Sequence, residues 1–170
     1  MLIRPERPSD FAAIHDLVKT AFATAKVSSG DEQGFLDRLR AGDDYIAELA
    51  MVAEDQTGLI GQIALTRTSI ATATGPHPLL LLGPICVVLE RRRSGLGSRL
   101  IGEALDRARQ LGHSAVILVG NPAFYGRFGF KPAIAFGVAN ANGIPDQYVM
   151  ALELAPGGLA NAAGSIAFAT

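Results

Sequence analysis

Residues 79–89 read Leu-Leu-Leu-Leu-Gly-Pro-Ile-Cys-Val-Val-Leu, apolar throughout except for the Gly83-Pro84 step. A run that is apolar at every position suits a central strand covered on both faces, with an irregularity at the glycine and proline. It leads through an arginine- and glycine-bearing turn into residues 95–111, where Leu96, Leu100, Ile101, Ala104, Leu105, Ala108 and Leu111 form one stripe of a helix. Glu103 and Arg107 add a favourable i, i+4 pair, and Gly112 is a natural stop. Residues 114–119 are apolar again and read as a strand. Strand, helix and strand in this order predict two parallel strands joined by a crossover, and an α/β (α+β) fold class.

The rest of the chain fits around that unit. Residues 2–4 read as a short strand. Ser9 or Asp10 can cap a helix reaching Phe22, with Phe11, Ile14, Leu17 and Val18 on one face. Residues 26–30 read as loop, and 31–40 as a second helix carrying Phe35, Leu36 and Leu39. Residues 45–54 and 59–70 read as strands joined by a turn at Gln56-Thr57-Gly58, and Thr74-Gly75-Pro76 turns the chain once more. Residues 122–127 suit a short helix; 131–136 and 147–154 read as late strands. The tail, 156–170, is rich in Gly and Ala and has no clear period.

Composition narrows the function. The 170 residues are 49% hydrophobic and 18% charged, with a formal charge of −1, which describes one globular domain over 1–170 without a generic basic surface for nucleic acid. One cysteine and three histidines, far apart, give no zinc spacing, so no metal is expected. The first ten residues lack the apolar core of a signal peptide, and no apolar run reaches the ~18 residues of a membrane span. A cytoplasmic domain without membrane or nucleic-acid partners is the expectation.

The turn Arg92-Arg93-Ser94-Gly95-Leu96-Gly97-Ser98 carries the clearest chemistry. Glycines there allow close backbone approach to a ligand. The first N–H groups of the following helix lack intrahelical partners and lie at the positive end of its dipole, a setting that suits a pyrophosphate. A Walker loop would end in Gly-Lys-Ser/Thr, whereas this turn has Gly97-Ser98-Arg99. A dinucleotide fingerprint would need glycine where Leu100 stands. A tight turn with a solvated arginine run is the bland alternative.

Arg92-x-x-Gly95-x-Gly97 resembles the Gln/Arg-x-x-Gly-x-Gly/Ala signature of the GNAT superfamily, and Asn121-Pro-Ala-Phe-Tyr125-Gly-Arg-Phe-Gly-Phe130 resembles that family's later motif in its YhbS-like branch. The resemblance implies a GNAT-like fold, a central mixed twisted sheet of about six to seven strands flanked by about four helices. It implies acetyl-CoA (coenzyme A) as co-substrate, held by Arg92, Arg93, Ser94, Gly95, Leu96, Gly97 and Ser98 at the pyrophosphate. The backbone of Ile85, Cys86 and Val87, with Asn121 and Tyr125, would lie along the pantetheine and thiol. The implied activity is transfer of an acetyl group to an amine by direct attack in a ternary complex. The other reading is a non-catalytic acyl-CoA sensor with the same fold; a nucleotide-binding domain is a third.

Acetyl transfer needs a protonated leaving thiolate, and the resemblance gives that role to Tyr125. A phenol titrates near ~10 and a thiol near ~8.5, so a neutral tyrosine can supply the proton. The competing reading packs Tyr125 under Phe124 and Phe128, and Phe124, Phe128 and Phe130 all read as core. Asn121 can bond the pantetheine or cap the short helix; Arg127 can reach phosphate or lie in solvent. No ionisable group stands in 79–82, where histone-modifying relatives place a glutamate. Glu32 is a candidate water-linked base or a plain helix acid, and His77 a base or a loop residue. Cys86, inside an apolar strand, reads as a small apolar residue. The acceptor, a small molecule or a protein, should be shaped by residues 9–40 and 136–148. A second copy of the chain is the other partner the resemblance allows.

Overall fold

Asp10 opens the first helix by a route that the capping expectation did not include. In the computed structural model, which describes residues 1–24 and 30–169, its carboxylate makes no cap bond to the helix α1 (Phe11–Ala23). It binds Arg4 instead, whose guanidinium donates to Oδ2 at 2.7 Å and Oδ1 at 3.0 Å. Arg4 also donates to both carboxylate oxygens of Glu54, at 2.9 and 3.1 Å. Asp10 Oδ2 accepts the Arg7 amide as well, at 2.7 Å. Arg4 and Asp10 are both buried, and a buried charge is tolerable only when its hydrogen bonds are met in this way.

The described residues fall into two compact units, Met1–Thr66 with Gly83–Arg107, and Arg67–Leu82 with Ala108–Thr170. In the first, β1 (Leu2–Pro5) pairs antiparallel with β2 (Ala50–Asp55), and β2 with β3 (Gly58–Thr72). Strand β4 (Gly75–Val87) follows β3 in the sheet. The turn at Gln56-Thr57 forms as expected, with Asp55 Oδ1 accepting the Thr57 amide at 2.8 Å. The strand expected over 45–54 is shorter, because residues 47–49 form a 3-10 turn. The partner strand ends at Pro5, and the bond from the Glu6 amide to the Ala50 carbonyl closes the ladder. Tyr45 is drawn to Glu6 (2.8 Å), which Arg40 also binds at 2.8 Å.

Helix α1 presents Ile14, Leu17, Val18 and Ala21 at a three-four spacing, and α2 (Glu32–Ala41) presents Leu36; all are buried with Val52, Ala64 and Cys86. Burying each Val or Leu side chain stabilises by about 1.5–3 kcal/mol. The loop expected over 26–30 lies, except for Gly30, outside the described residues. Helix α3 (Leu96–Gln110) buries the expected stripe, with Leu96, Leu100, Ile101, Ala104 and Leu105 at 5% exposure or less, while Leu111 stands exposed beyond its end.

In the second unit β4 runs parallel to β5 (Ala115–Val119), with Leu80 opposite Val116, as the strand–helix–strand order predicted. Gly112, at φ 87, ends α3; its amide and that of His113 bond back to Arg109 and Ala108. After the short helix α4 (Pro122–Tyr125), the strand expected over 131–136 keeps only β6 (Lys131–Pro132), since residues 133–136 wind into a 3-10 turn that buries Ala133. Residues 138–140 form β7 (Val138–Asn140), and the strand expected over 147–154 is β8 (Val149–Glu153). The tail contributes β9 (Gly164–Ile166), which pairs with β7 and with the end of β3. The order here is β4-β5-β8-β6, over a core that includes Ile70, Leu79, Ile117, Ala151 and Ile166. Parallel and antiparallel pairs thus coexist, and the described residues hold nine strands and four α-helices. Among them no helix is long and apolar enough to cross a membrane.

The Arg4 network makes stability depend on pH. The Arg4 guanidinium, hydrogen-bonded to Asp10, holds that carboxyl below its ordinary value of 3.8. A depressed carboxyl stabilises the fold fully above the unfolded-state value and loses that contribution as the pH falls through the folded one. Asp10→Asn is expected to cost about 2 kcal/mol at pH 7, or roughly 4–8 °C in Tm. In calorimetric scans from pH 7 to 3 the gap between parent and variant should hold down to about pH 5 and narrow below 4. A gap that stays constant would show that ionisation of Asp10 is not the cause.

Candidate active site

The second half of β4 is covered on one face only, which corrects the expectation of burial on both. Past the Gly83–Pro84 step, a cis peptide, Pro84 and Cys86 are buried while Ile85 and Val87 are half-exposed. The half-exposed side faces a cleft of about 390 Å³, walled by Ala21, Phe22 and Thr24 at the end of α1 and by Arg92. The strand stops at Val87, two residues early, because residues 89–91 turn into a 3-10 helix with Leu89 in solvent.

The turn into α3 follows. Arg93 and Gly95 have left-handed backbones, at φ 61 and 84, the second being a conformation that glycine adopts at no steric cost. Gly97 lies in the first turn of α3, where amide N–H groups have no intrahelical acceptors. A Cβ placed on Gly97 would meet nothing nearer than Val87 Cγ2, at 4.0 Å. That bare surface lets a ligand come against the backbone. Leu96 is buried and Ser98 half-buried, so Leu96 offers the turn its main chain alone.

The three arginines divide their work. Arg91 pairs with Asp55, and the Ser94 hydroxyl donates to the Arg91 carbonyl. Arg92 reaches back to α1, donating to the Ala21 carbonyl at 2.8 Å and to Thr24 Oγ1 at 3.2 Å. A cation at the last turn of α1 meets its unpaired carbonyls and the negative end of its dipole. Arg93 lies in solvent. Ala21, Phe22 and Thr24 carry no sequence signal for this site, since nothing local announces a contact across about seventy residues.

Cys86 is 9% exposed, and burial pushes its thiol up to about 12; the Gln62 amide donates to Sγ at 3.7 Å. It is a packing residue, not a thiolate. Glu32 is the first residue of α2 and is half-buried. Among the described residues no group of three or more His, Cys, Asp or Glu could hold a metal ion.

In the second unit, Asn121 caps α4, its Oδ1 accepting the Ala123 amide at 2.9 Å. Tyr125, the last residue of α4, has its ring edge-on to Phe124 at 4.9 Å and to Phe130 at 6.0 Å. Its ring pairs are with Phe124, as expected, and with Phe130. Phe130 alone of the three phenylalanines is fully buried. Phe124 and Phe128 stay partly open, and the exposed Arg127 stacks over both rings, at 4.7 and 5.8 Å. Burial raises the Tyr125 phenol above its ordinary 10.0, so it is protonated at neutral pH. His77 Nε2 lies 2.9 Å from the Gly158 carbonyl, a structural tie to the tail. Gly120 lies directly against the Tyr125 ring; its signal was a lone glycine between an apolar strand and Asn-Pro.

The acetyltransferase (GNAT) domain family matches residues 2–133, more than half of the chain. The N-acetyltransferase YhbS of Escherichia coli K12 is 34% identical over 136 residues, 78% of this chain and 75% of its own. The crystal structure of E. coli YhbS in complex with CoA superposes with a TM-score of 0.85 at 26% identity, covering 99% of this chain and 89% of that one. A GNAT family acetyltransferase from Brucella melitensis in complex with acetyl-CoA gives 0.76 at 30% identity, over 91% and 88% of the two chains. With the bare glycine turn opening α3, and with the match running through most of its length, the chain belongs to the GNAT family of N-acetyltransferases.

Proposed function

We propose that this chain binds acetyl-CoA along β4 and the turn into α3, and passes the acetyl group directly to an amine held in the same complex. The observation that carries the proposal is the cleft at Ile85 and Val87, which has Arg92 in its wall and lies next to the uncovered glycines of the turn. The main chain of residues 85–87 can pair with the pantetheine amides as an added strand would, giving affinity without demanding particular side chains. The N–H groups of Arg93, Gly95 and Gly97 suit the pyrophosphate. The relatives solved with CoA and acetyl-CoA support the same choice of ligand.

Direct transfer is favoured over an acetylated enzyme because the one cysteine is buried with its thiol near 12. The proton balance is simple. The amine attacks the thioester carbon, the carbon–sulfur bond breaks, the Tyr125 hydroxyl gives its proton to the departing sulfur, and the proton shed by the acetylated nitrogen restores that hydroxyl through solvent. An amine that arrives as the free base needs no further help before attack. For one that arrives protonated, Glu32, half-buried at the start of α2, is the candidate to accept the proton through water. The lack of an ionisable side chain in 79–82 favours, as the second reading, an acyl-CoA sensor without turnover.

Thiol release from acetyl-CoA with a panel of primary amines, both small molecules and peptides, separates the two readings. Turnover is expected, with no acetyl adduct on the protein by mass spectrometry; binding without turnover would favour the sensor. A crystal structure with CoA should place the pantetheine amides within ~3.2 Å of backbone atoms of residues 85–87. An arm lying clear of that backbone would remove the added-strand assignment.

A further inference from the structure

Tyr125 folds back over a residue five places before it. A Cβ on Gly120 would lie 2.4 Å from Cε2 and 2.8 Å from Cδ2 of the tyrosine ring, about 1 Å inside ordinary contact, which begins near 3.4 Å. Neither partner is loose. The Gly120 amide donates to the Tyr148 carbonyl at 2.8 Å, and the Tyr125 amide donates to the Asn121 carbonyl at 3.0 Å. The ring is bounded on other sides by Phe124 and the buried Phe130. Gly120 is not among the residues with a left-handed backbone, so its lack of a side chain serves the ring and not the turn.

We propose that Gly120 is a positioning residue for Tyr125: its bare Cα surface sets where the ring lies and therefore where the hydroxyl points. The proposal rests on the acid role of Tyr125 given above. Alanine at this position does not meet a left-handed backbone; its methyl must displace the ring, and it also crowds the Leu118 Cδ1 methyl, at 3.2 Å. A displacement of ~1 Å in a catalytic group can cost ~10²-fold in rate.

The test has one arm that does not depend on activity. With [ζ-13C]tyrosine the three phenols can be titrated by NMR, and Tyr125 identified by its loss in Tyr125→Phe. In Gly120→Ala the Tyr125 phenol is expected to titrate lower than in the parent, back toward ~10, because the ring is pushed toward water. With acetyl-CoA and the fastest amine of the panel, Gly120→Ala should lower kcat about 10- to 100-fold with the KM for acetyl-CoA within about twofold. In a Tyr125→Phe background it should change kcat no further. An unchanged titration, or an equal slowing in the Tyr125→Phe background, would overturn the proposal. Should Gly120→Ala lower Tm, the same change beside Tyr125→Ala should be without cost, since the clash has gone; a persisting loss would show that Gly120 serves the strand and not the ring. If Tyr125→Phe keeps the parent rate, the acid role itself fails, and the titration alone decides whether Gly120 places the ring.

Discussion

Tyr125→Phe is expected to lower kcat for acetyl transfer about 10²-fold and to leave the affinity for acetyl-CoA within about twofold. An acid acts only as the carbon–sulfur bond breaks, so its loss appears in turnover and not in ground-state binding. Phenylalanine keeps the ring against Phe124, Phe130 and the bare face of Gly120, so packing is unchanged and only the hydroxyl is removed. The low end of the ~10²–10⁴ range for general acids is the better expectation, because a thiolate is already a fair leaving group. The raised phenol keeps its proton throughout the pH range where acetyl-CoA is assayed, so loss of the Tyr125 proton should give no alkaline fall in rate near neutrality. Single-turnover measurements with the chemical step rate-limiting are the check. A rate within about twofold of the parent would leave Tyr125 as a packing residue, with water or backbone serving the sulfur.

Gly97→Leu is expected to weaken CoA binding by about 100-fold or more with the fold intact. The added Cβ has free space, its nearest neighbour being Val87 Cγ2 at 4.0 Å, and leucine is the better helix former by roughly 1 kcal/mol. The protein should therefore melt no lower than the parent. The rest of the side chain would cover the backbone proposed to hold the pyrophosphate, and a mismatch of ~3 kcal/mol corresponds to ~100-fold in affinity. Gly95→Leu is a poorer probe, because φ 84 adds backbone strain of about 1–2 kcal/mol to any effect on the ligand. Calorimetric titration with CoA, read beside Tm, separates the two effects. Undiminished affinity in a folded Gly97→Leu protein would remove the turn from the binding site.

Much of the site was legible because its signals are local. Gly95 and Gly97 mark a turn that only small residues allow, the stripe from Leu96 to Leu105 sets which face of α3 is covered, and Asn121 before Pro122 is a cap by its chemistry alone. Cys86 was readable as a packing residue from its apolar neighbours. The strand ends were read less well. Apolar side chains at 45–46 and 133–136 satisfy a strand pattern, yet strand pairing depends on a partner, and the partner of residues 45–49 stops at Pro5.

What the sequence by itself determined is the set of local commitments: where helices start and stop, and which turn must be bare. Those follow from backbone sterics and from 3.6- and two-residue periods, and so need no knowledge of the fold. Only the tertiary structure decided that one face of Ile85 and Val87 stays open, that Arg92 closes the end of α1, that Asp10 is held by Arg4, and that the Tyr125 ring rests on Gly120. Each is a contact between chain segments whose spacing has no sequence period. Alternation along a strand says which side chains share a face, but what covers that face depends on where distant segments come to lie.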